Sequence, residues 1–261
     1  MALLAVETVS VRFGGLNALD QVELDAAEGQ VTGLIGPNGA GKTTLFNVVC
    51  GLQETNSGRV VLDGRDVTKL KAHRRARLGL GRTFQRLEVF GSLTARENIL
   101  AAAEIHRRWS HKRTKPRQVA DKLVDRVGLA EVAEEPVDRL PTGMARLVEV
   151  ARALATQPRM LLLDEPSSGL DESETDDFAE LLFNLAGDGL GILMVEHDVA
   201  LVMQVCERIH VLDFGSMIAA GTPEEIRQNA DVQAAYLGAE ASGDNGSDGS
   251  GERGDGGGDR G

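Results

Sequence analysis

The chain has 261 residues, 42% of them hydrophobic and 3% aromatic, enough for one or two packed globular domains with a sizeable core. Lys and Arg number 28 against 40 Asp and Glu, a formal charge of −12, which disfavours indiscriminate binding to nucleic acid or anionic membrane. No apolar run approaches the roughly 20 residues that span a bilayer, and MALLAVETVSVRF lacks the basic and apolar regions of a signal peptide, so a cytoplasmic location is expected. Cys50 and Cys206 stand far apart and read as two small buried thiols in a reducing compartment.

Alternation and apolar runs predict strands at Val6–Phe13, Val22–Ala26 and Val60–Asp63. The continuous run Val31–Ile35 suits a central strand covered on both faces, and a helix over Lys42–Cys50 follows it, stopped by Gly51. From about Gly91 to Ala155 the β pattern vanishes. Thr94–His106, Arg117–Val127 and Ala145–Ala155 instead show the three-and-four spacing of amphipathic helices, a helical insert. Core strands at Met160–Leu163 and Ile192–Val195 flank a helix at Ser173–Leu185, and strands at Arg208–Leu212 and Met217–Ala220 close an α/β fold with a mainly parallel sheet. After Gly238 the chain turns to Gly, Asp and Ser, with six acids against two arginines. Such a tail has no apolar surface to offset its ordering entropy, and it reads as disordered and solubilising.

Directly after the run at Val31–Ile35 stands GPNGAGKTT, comprising Gly36, Pro37, Asn38, Gly39, Ala40, Gly41, Lys42, Thr43 and Thr44. It fits G-x-x-x-x-G-K-[ST] in the required strand, loop and helix context. Glycines let the backbone turn its N–H groups around phosphate oxygens, and the helix adds its positive end. Lys42 is placed to reach the β and γ phosphates and the Thr43 hydroxyl to hold Mg²⁺. The loop alone does not separate kinase, GTPase, helicase or transporter. MLLLDEP, Met160–Pro166, is an apolar strand ending in two carboxylates. Asp164 suits Mg²⁺ through water, and Glu165 suits orienting or deprotonating an attacking water.

Taken with LPTGMARLVEVARAL upstream, SSGLD downstream and MVEHD at Met194–Asp198, the order of motifs resembles the ABC-type ATPases over residues 1 to about 238. The resemblance implies a P-loop NTPase cassette: a RecA-like parallel-sheet core with an antiparallel β subdomain, spanning 1–90 and 156–238, and an α-helical subdomain at 91–155. It implies that Phe13 in VRFGG stacks on adenine, that Gln85 in GRTFQ touches Mg²⁺ and the attacking water, and that His197 contacts the γ-phosphate. It further implies that Asp171 couples two facing sites and that ATP and Mg²⁺ are the cofactors. Where the family has LSGGQ, used in the site of the opposing subunit, this chain has Leu140, Pro141, Thr142, Gly143 and Met144. Pro141 lacks both hydroxyl and N–H, Thr142 carries a hydroxyl, and helix N–H donors are expected at Met144–Leu147.

One cassette without a membrane span implies a second ATPase subunit, identical or different, membrane permease subunits, and a peripheral place on the inner face of the cell membrane. GLIGPNGAGKTTLFNVVCG, GLGRTFQRLEVFGSLTARENIL and GTPEEI followed by DVQAAYLG are similar to the ATPase subunit of branched-chain amino-acid importers. Subunits of urea or short-amide importers and of the lipopolysaccharide exporter share much of this ending. A regulatory ATP-binding protein with weak turnover is the alternative from another class, favoured by Pro141 and Met144 and opposed by Glu165 and His197. The basic run HRRWSHKRTKPR, His106–Arg117, reads as a solvated hairpin of the helical region, and Arg74, Arg75 and Arg77 as the surface face of a helix.

Overall fold

The structure, a computed structural model, describes residues 2–110 and 114–243. Two sheets share the chain. Strands β1 (Ala2–Phe13), β2 (Leu16–Ala27), β4 (Ser57–Leu62) and β5 (Arg65–Asp66) form an antiparallel sheet in the order β2-β1-β4-β5. The larger sheet takes β3 (Val31–Ile35), β6 (Leu80–Arg82), β7 (Met160–Asp164), β8 (Gly191–Val195), β9 (Arg208–Asp213) and β10 (Ser216–Gly221) in the order β10-β9-β3-β8-β7-β6. Its pairs are parallel except the terminal hairpin β9–β10.

Every residue of β3, β7 and β8 is buried, the expected cost of covering both faces with apolar side chains. Alternation divides them between two cores. Met160, Leu162, Leu34 and Val195 pack with Leu45, Phe46 and Val49 of α1 (Lys42–Cys50) and with the inner face of the antiparallel sheet. Leu161, Leu163 and Met194 face the opposite way, onto the core formed with helices α3 (Ala95–Ser110), α4 (Pro116–Arg126), α5 (Thr142–Leu154), α6 (Glu172–Gly187) and α7 (Val199–Val205). Between residues 91 and 155 the only bridge among the described residues joins Thr94 and Pro136.

Local chemistry sets the ends. Gly51 closes α1 in the left-handed conformation at φ 73. Asp171 opens α6 with a capping box, accepting from Glu174 N–H at 2.8 Å while Glu174 accepts from Asp171 N–H at 3.0 Å. Thr222 and Glu225 do the same for α8 (Pro223–Gln228). Helix α9 (Ala230–Gly243) runs past Gly238 into the segment read as disordered; the rest of that tail, 244–261, lies outside the described residues.

Two surface readings need correction. In the short helix α2 (Ala72–Arg77), Arg74 and Arg77 are exposed, but Arg75 is buried. Its guanidinium donates to the carbonyls of Val48 (2.6 Å), Val49 (2.7 Å), Thr68 (2.8 Å) and Leu70 (2.9 Å). In the basic run, Arg107 and Arg108 are exposed while His106 is buried, edge-to-face with the half-buried Trp109 at 4.6 Å between centroids. Residues 111–113, the middle of that run, lie outside the described residues. Cys50 and Cys206 are buried free thiols, as expected, and burial pushes both up in pKa.

His210 on β9 is buried, with Nε2–H donating to the Asp25 carbonyl at 3.0 Å. Burial holds its pKa below the usual 6.5, against the pull of Asp25 and helped by Arg208. An imidazole that binds its proton less readily in the folded chain stabilises the fold above pH 6.5. That stability is lost as pH falls through the folded value. The melting temperature is therefore expected to fall below pH 6.5, and His210→Gln, whose amide N–H can still meet Asp25, to fall less steeply. Parallel curves for the two proteins would exclude His210 as the source.

Candidate functional site

The phosphate-loop motif occupies the turn between β3 and α1. Gly36 has φ 152, and a Cβ there would sit 2.0 Å from the Leu212 carbonyl oxygen, so no other residue fits. Gly41, the N-cap of α1 at φ 107, lies so close to β2 that a Cβ would stand 2.7 Å from the Ala18 oxygen. Lys42 folds back over the loop, its Nζ donating to the carbonyls of Gly36 at 2.5 Å and Pro37 at 3.0 Å. Burial lowers its pKa, and the nearby Glu165 and Asp164 oppose that shift. Burial pushes the Tyr236 hydroxyl of α9 up in pKa, and the Gly36 backbone pulls it back.

A cavity of about 270 Å³ opens over this loop, lined by residues 38–44, Gln85, Glu165, Val195 and His197. Parts of the sequence separated by up to about 160 positions therefore converge on one place. Glu165 stands just beyond β7, held in the left-handed region at φ 50, a conformation that costs a non-glycine residue about 1 kcal/mol or more. Its carboxylate has two neighbours. Oε2 accepts from Gln85 Nε2 at 3.1 Å, and Oε1 lies 2.7 Å from His197 Nε2. A carboxylate only accepts, so this contact assigns the imidazole proton to Nε2.

Gly36, Pro37, Asp164 and Phe13 lie off that lining. Asp164 is buried under Arg82, 2.9 Å from its Nη2. Phe13 is half exposed at the tip of the β1–β2 hairpin, whose second strand reaches Gly41 at Ala18. Asp171 caps α6. The segment Leu140, Pro141, Thr142, Gly143 and Met144 is absent from the cavity as well. Its helix starts earlier than expected, at Thr142 with Pro141 as N-cap, so the free N–H groups belong to Thr142, Gly143 and Met144 rather than to Met144–Leu147. Gly143 is pressed against the start of α6, where a Cβ would come within 2.7 Å of Leu170 and 2.8 Å of the Glu174 carboxylate.

Several polar residues in the site are ones that sequence reasoning missed. Arg82 bridges Asp164 and Asn47 Oδ1 (2.8 Å), with its guanidinium 4.8 Å from the Phe84 ring centroid. Glu196, buried beside the histidine, accepts from the N–H groups of Ser167 at 2.8 Å and His197 at 3.1 Å. It thereby ties the segment after Glu165 to the one carrying His197, and burial pushes its carboxyl up in pKa. Arg146 and Glu149 of α5 form a buried pair at 3.1 Å. The available signal was a charged residue three places from another on the apolar side of a helix.

A parallel sheet with a glycine-rich phosphate loop at the end of its central strand and paired acids two strands away defines a P-loop nucleotide-binding protein. Residues 19–168 match the family model described as ABC transporter, and residues 216–242 match that described as branched-chain amino acid ATP-binding cassette transporter. The chain is 39% identical over 249 residues to the high-affinity branched-chain amino acid transport ATP-binding protein BraF of Pseudomonas aeruginosa, covering 90% of this chain and 98% of that one. It is 36% identical over 238 residues to the lipopolysaccharide export system ATP-binding protein LptB of Haemophilus influenzae, covering 91% and 98%. The ADP conformation of MJ1267, an ATP-binding cassette of an ABC transporter, superposes with a TM-score of 0.82 at 30% identity, over 91% of this chain and 99% of that one. The chain belongs to the ABC transporter family of ATP-binding cassettes.

Proposed function

We propose that the chain is the ATP-hydrolysing subunit of a branched-chain amino-acid-type importer, with Glu165 as the base that activates water. The observation that carries the catalytic part is the Glu165 carboxylate, held between Gln85 and His197 at the mouth of the phosphate loop. Lys42 and the loop N–H groups neutralise the β and γ phosphates, His197 contacts the γ-phosphate, and Phe13 stacks on adenine. The oxygen donors Thr43 and Gln85, both in the cavity lining, suit Mg²⁺, a hard cation that is bound through a few protein oxygens together with substrate phosphates, and Asp164, off that lining and paired with Arg82, suits it through water. When bound, the ion offsets the phosphate charge.

The importer class is supported by the match of residues 216–242 and by the relatives' printed activity. Among the described residues no helix is long and apolar enough to cross a membrane, which supports a peripheral subunit working through separate permeases on the inner membrane face. The Leu140–Met144 segment does not line the cavity over its own phosphate loop, and its Gly143 packs against Leu170 and Glu174 beside Asp171, which supports its use in the site of a second cassette. In that site Pro141 offers neither hydroxyl nor N–H, and the Thr142 hydroxyl and three helix N–H groups remain.

The test is steady-state ATP hydrolysis by the purified chain, alone and coexpressed with its second cassette, against Lys42→Ala as the blank. Turnover appearing only with the second cassette is the expected result. Turnover by the chain alone would make LPTGM competent in a homodimer, and none in either setting would favour a regulatory ATP-binding protein. For the substrate, deleting the gene in its host is expected to abolish uptake of labelled leucine; undiminished uptake would reject the importer class.

A further inference from the structure

The segment carrying Gln85 is held by side chains from the signature helix. The Phe84 N–H donates to Glu149 Oε1 at 3.1 Å, and the Phe84 carbonyl accepts from Arg146 Nη1 at 2.9 Å. Arg146 Nη2 donates to the carbonyl of Gln85 itself. Arg146 and Glu149 also bond each other, with side chains 9% and 5% exposed. One turn further on, Arg152 donates to the Glu88 carbonyl and lies 4.9 Å from the Phe90 ring centroid. Residues 146, 149 and 152 are three apart, so one face of α5 grips the stretch from Phe84 to Phe90.

A buried ion pair is a poor source of stability, since apolar residues of the same volume serve the fold as well or better. A guanidinium has something else to offer here. Its fixed fork reaches two successive carbonyls at once and sets the direction of the peptide between them. That peptide carries the side chain whose amide meets Glu165 Oε2. Burial pushes the Glu149 carboxyl up in pKa, while the Phe84 N–H and Arg146 pull it back.

We propose that Arg146 and Glu149 are positioning residues for hydrolysis: they fix the Gln85 backbone so that its amide orients Glu165, which makes turnover in this chain's site depend on the placement of its signature helix. The proposal rests on Glu165 being the base. α5 starts at the Leu140–Met144 segment, which the family uses in the opposing site. α5 therefore connects the Leu140–Met144 segment at its start to the Glu165 carboxylate through the Gln85 backbone that Arg146 holds.

The test is a double-mutant cycle on ATPase rates of the full-length chain coexpressed with its second cassette. Arg146→Lys keeps the charge but loses the fork. It is expected to lower kcat about tenfold, the scale of a small misplacement of a catalytic group, with KM for ATP changed less than about twofold. Gln85→Ala is expected to lower kcat by itself, and adding Arg146→Lys to it to cost no more than about twofold further. Costs that multiply in the double variant, or an equal rise in KM, would overturn the clamp. Should Arg146→Lys fail to fold, Glu149→Gln, which keeps an acceptor for the Phe84 N–H and removes the charge opposite Arg146, enters the same cycle with the same two outcomes. Wild-type hydrolysis that is unaffected by Glu165→Gln overturns the underlying assignment and the clamp with it, whereas sensitivity to Glu165→Gln with multiplying costs overturns the clamp alone.

Discussion

Glu165→Gln is expected to bind ATP and to hydrolyse it at least tenfold more slowly than wild type. A positioned general base contributes about 10²–10⁴ in rate, and an amide of the same shape cannot take a proton from water. Shape is preserved because the carboxylate's two neighbours are side chains able to reorient: Gln85 Nε2 at 3.1 Å and His197 Nε2 at 2.7 Å. The backbone strain at Glu165, φ 50, is unchanged by the substitution, so the fold and the phosphate loop should remain intact. Nucleotide binding measured alongside steady-state turnover separates the two effects. Turnover near the wild-type rate with normal binding would remove Glu165 from the role of base.

How much of this was legible in sequence depended on whether the deciding interactions were local. The phosphate loop was, because Gly36, Gly39 and Gly41 all take positive φ within one nine-residue run and its helix follows at once, although the crowding of Gly36 by Leu212 and of Gly41 by Ala18 is not local. Strands β3, β7 and β8 announced themselves as unbroken apolar runs, the mark of burial on both faces. β6 did not: Leu80–Arg82 is three residues long and exists only because β7 supplies its partner. Helices α7, α8 and α9 were missed as well, α7 and α8 for shortness, at seven and six residues. The meeting of Gln85, Glu165 and His197 was expected only from the order of motifs in a family, since no spacing in one chain brings residues so far apart together. Arg146 and Glu149 left only their three-residue spacing on the apolar side of a helix as a signal, and their grip on Phe84 and Gln85, like the bonds of Arg82 to Asn47 and Asp164, was invisible for a different reason. Their partners are backbone groups and side chains of other elements, and an arginine that binds a distant carbonyl has the same letter as one in water.

Arg75 is the clearest case, and Arg75→Met is expected to be the most destabilising of the single substitutions considered. Four carbonyls converge on its guanidinium, two of them, Val48 and Val49, from the last turn of α1. Val49 is one of the orphan acceptors at the helix C-terminus, Val48 also accepts from the Gly51 N–H at 3.0 Å, and the cation opposes the negative end of the helix dipole. Burial lowers the Arg75 pKa, opposed by Cys50 and Asp66, a sign that desolvating the charge is costly. Methionine fills similar space with no donor, leaving buried acceptors unpaired at about 1–3 kcal/mol for each group lost, partly relieved by relaxation. A net loss of about 3 kcal/mol corresponds to a fall in melting temperature of about 6–12 °C for a domain of this size. Arg74→Met on the same helix is exposed and is expected to shift it by less than about 2 °C. Because α1 carries Lys42 and Thr43 at its other end, the Arg75 variant should also bind nucleotide more weakly. Equal melting temperatures for the two variants would place the hydrogen bonds of Arg75 outside the forces that hold α1 in place.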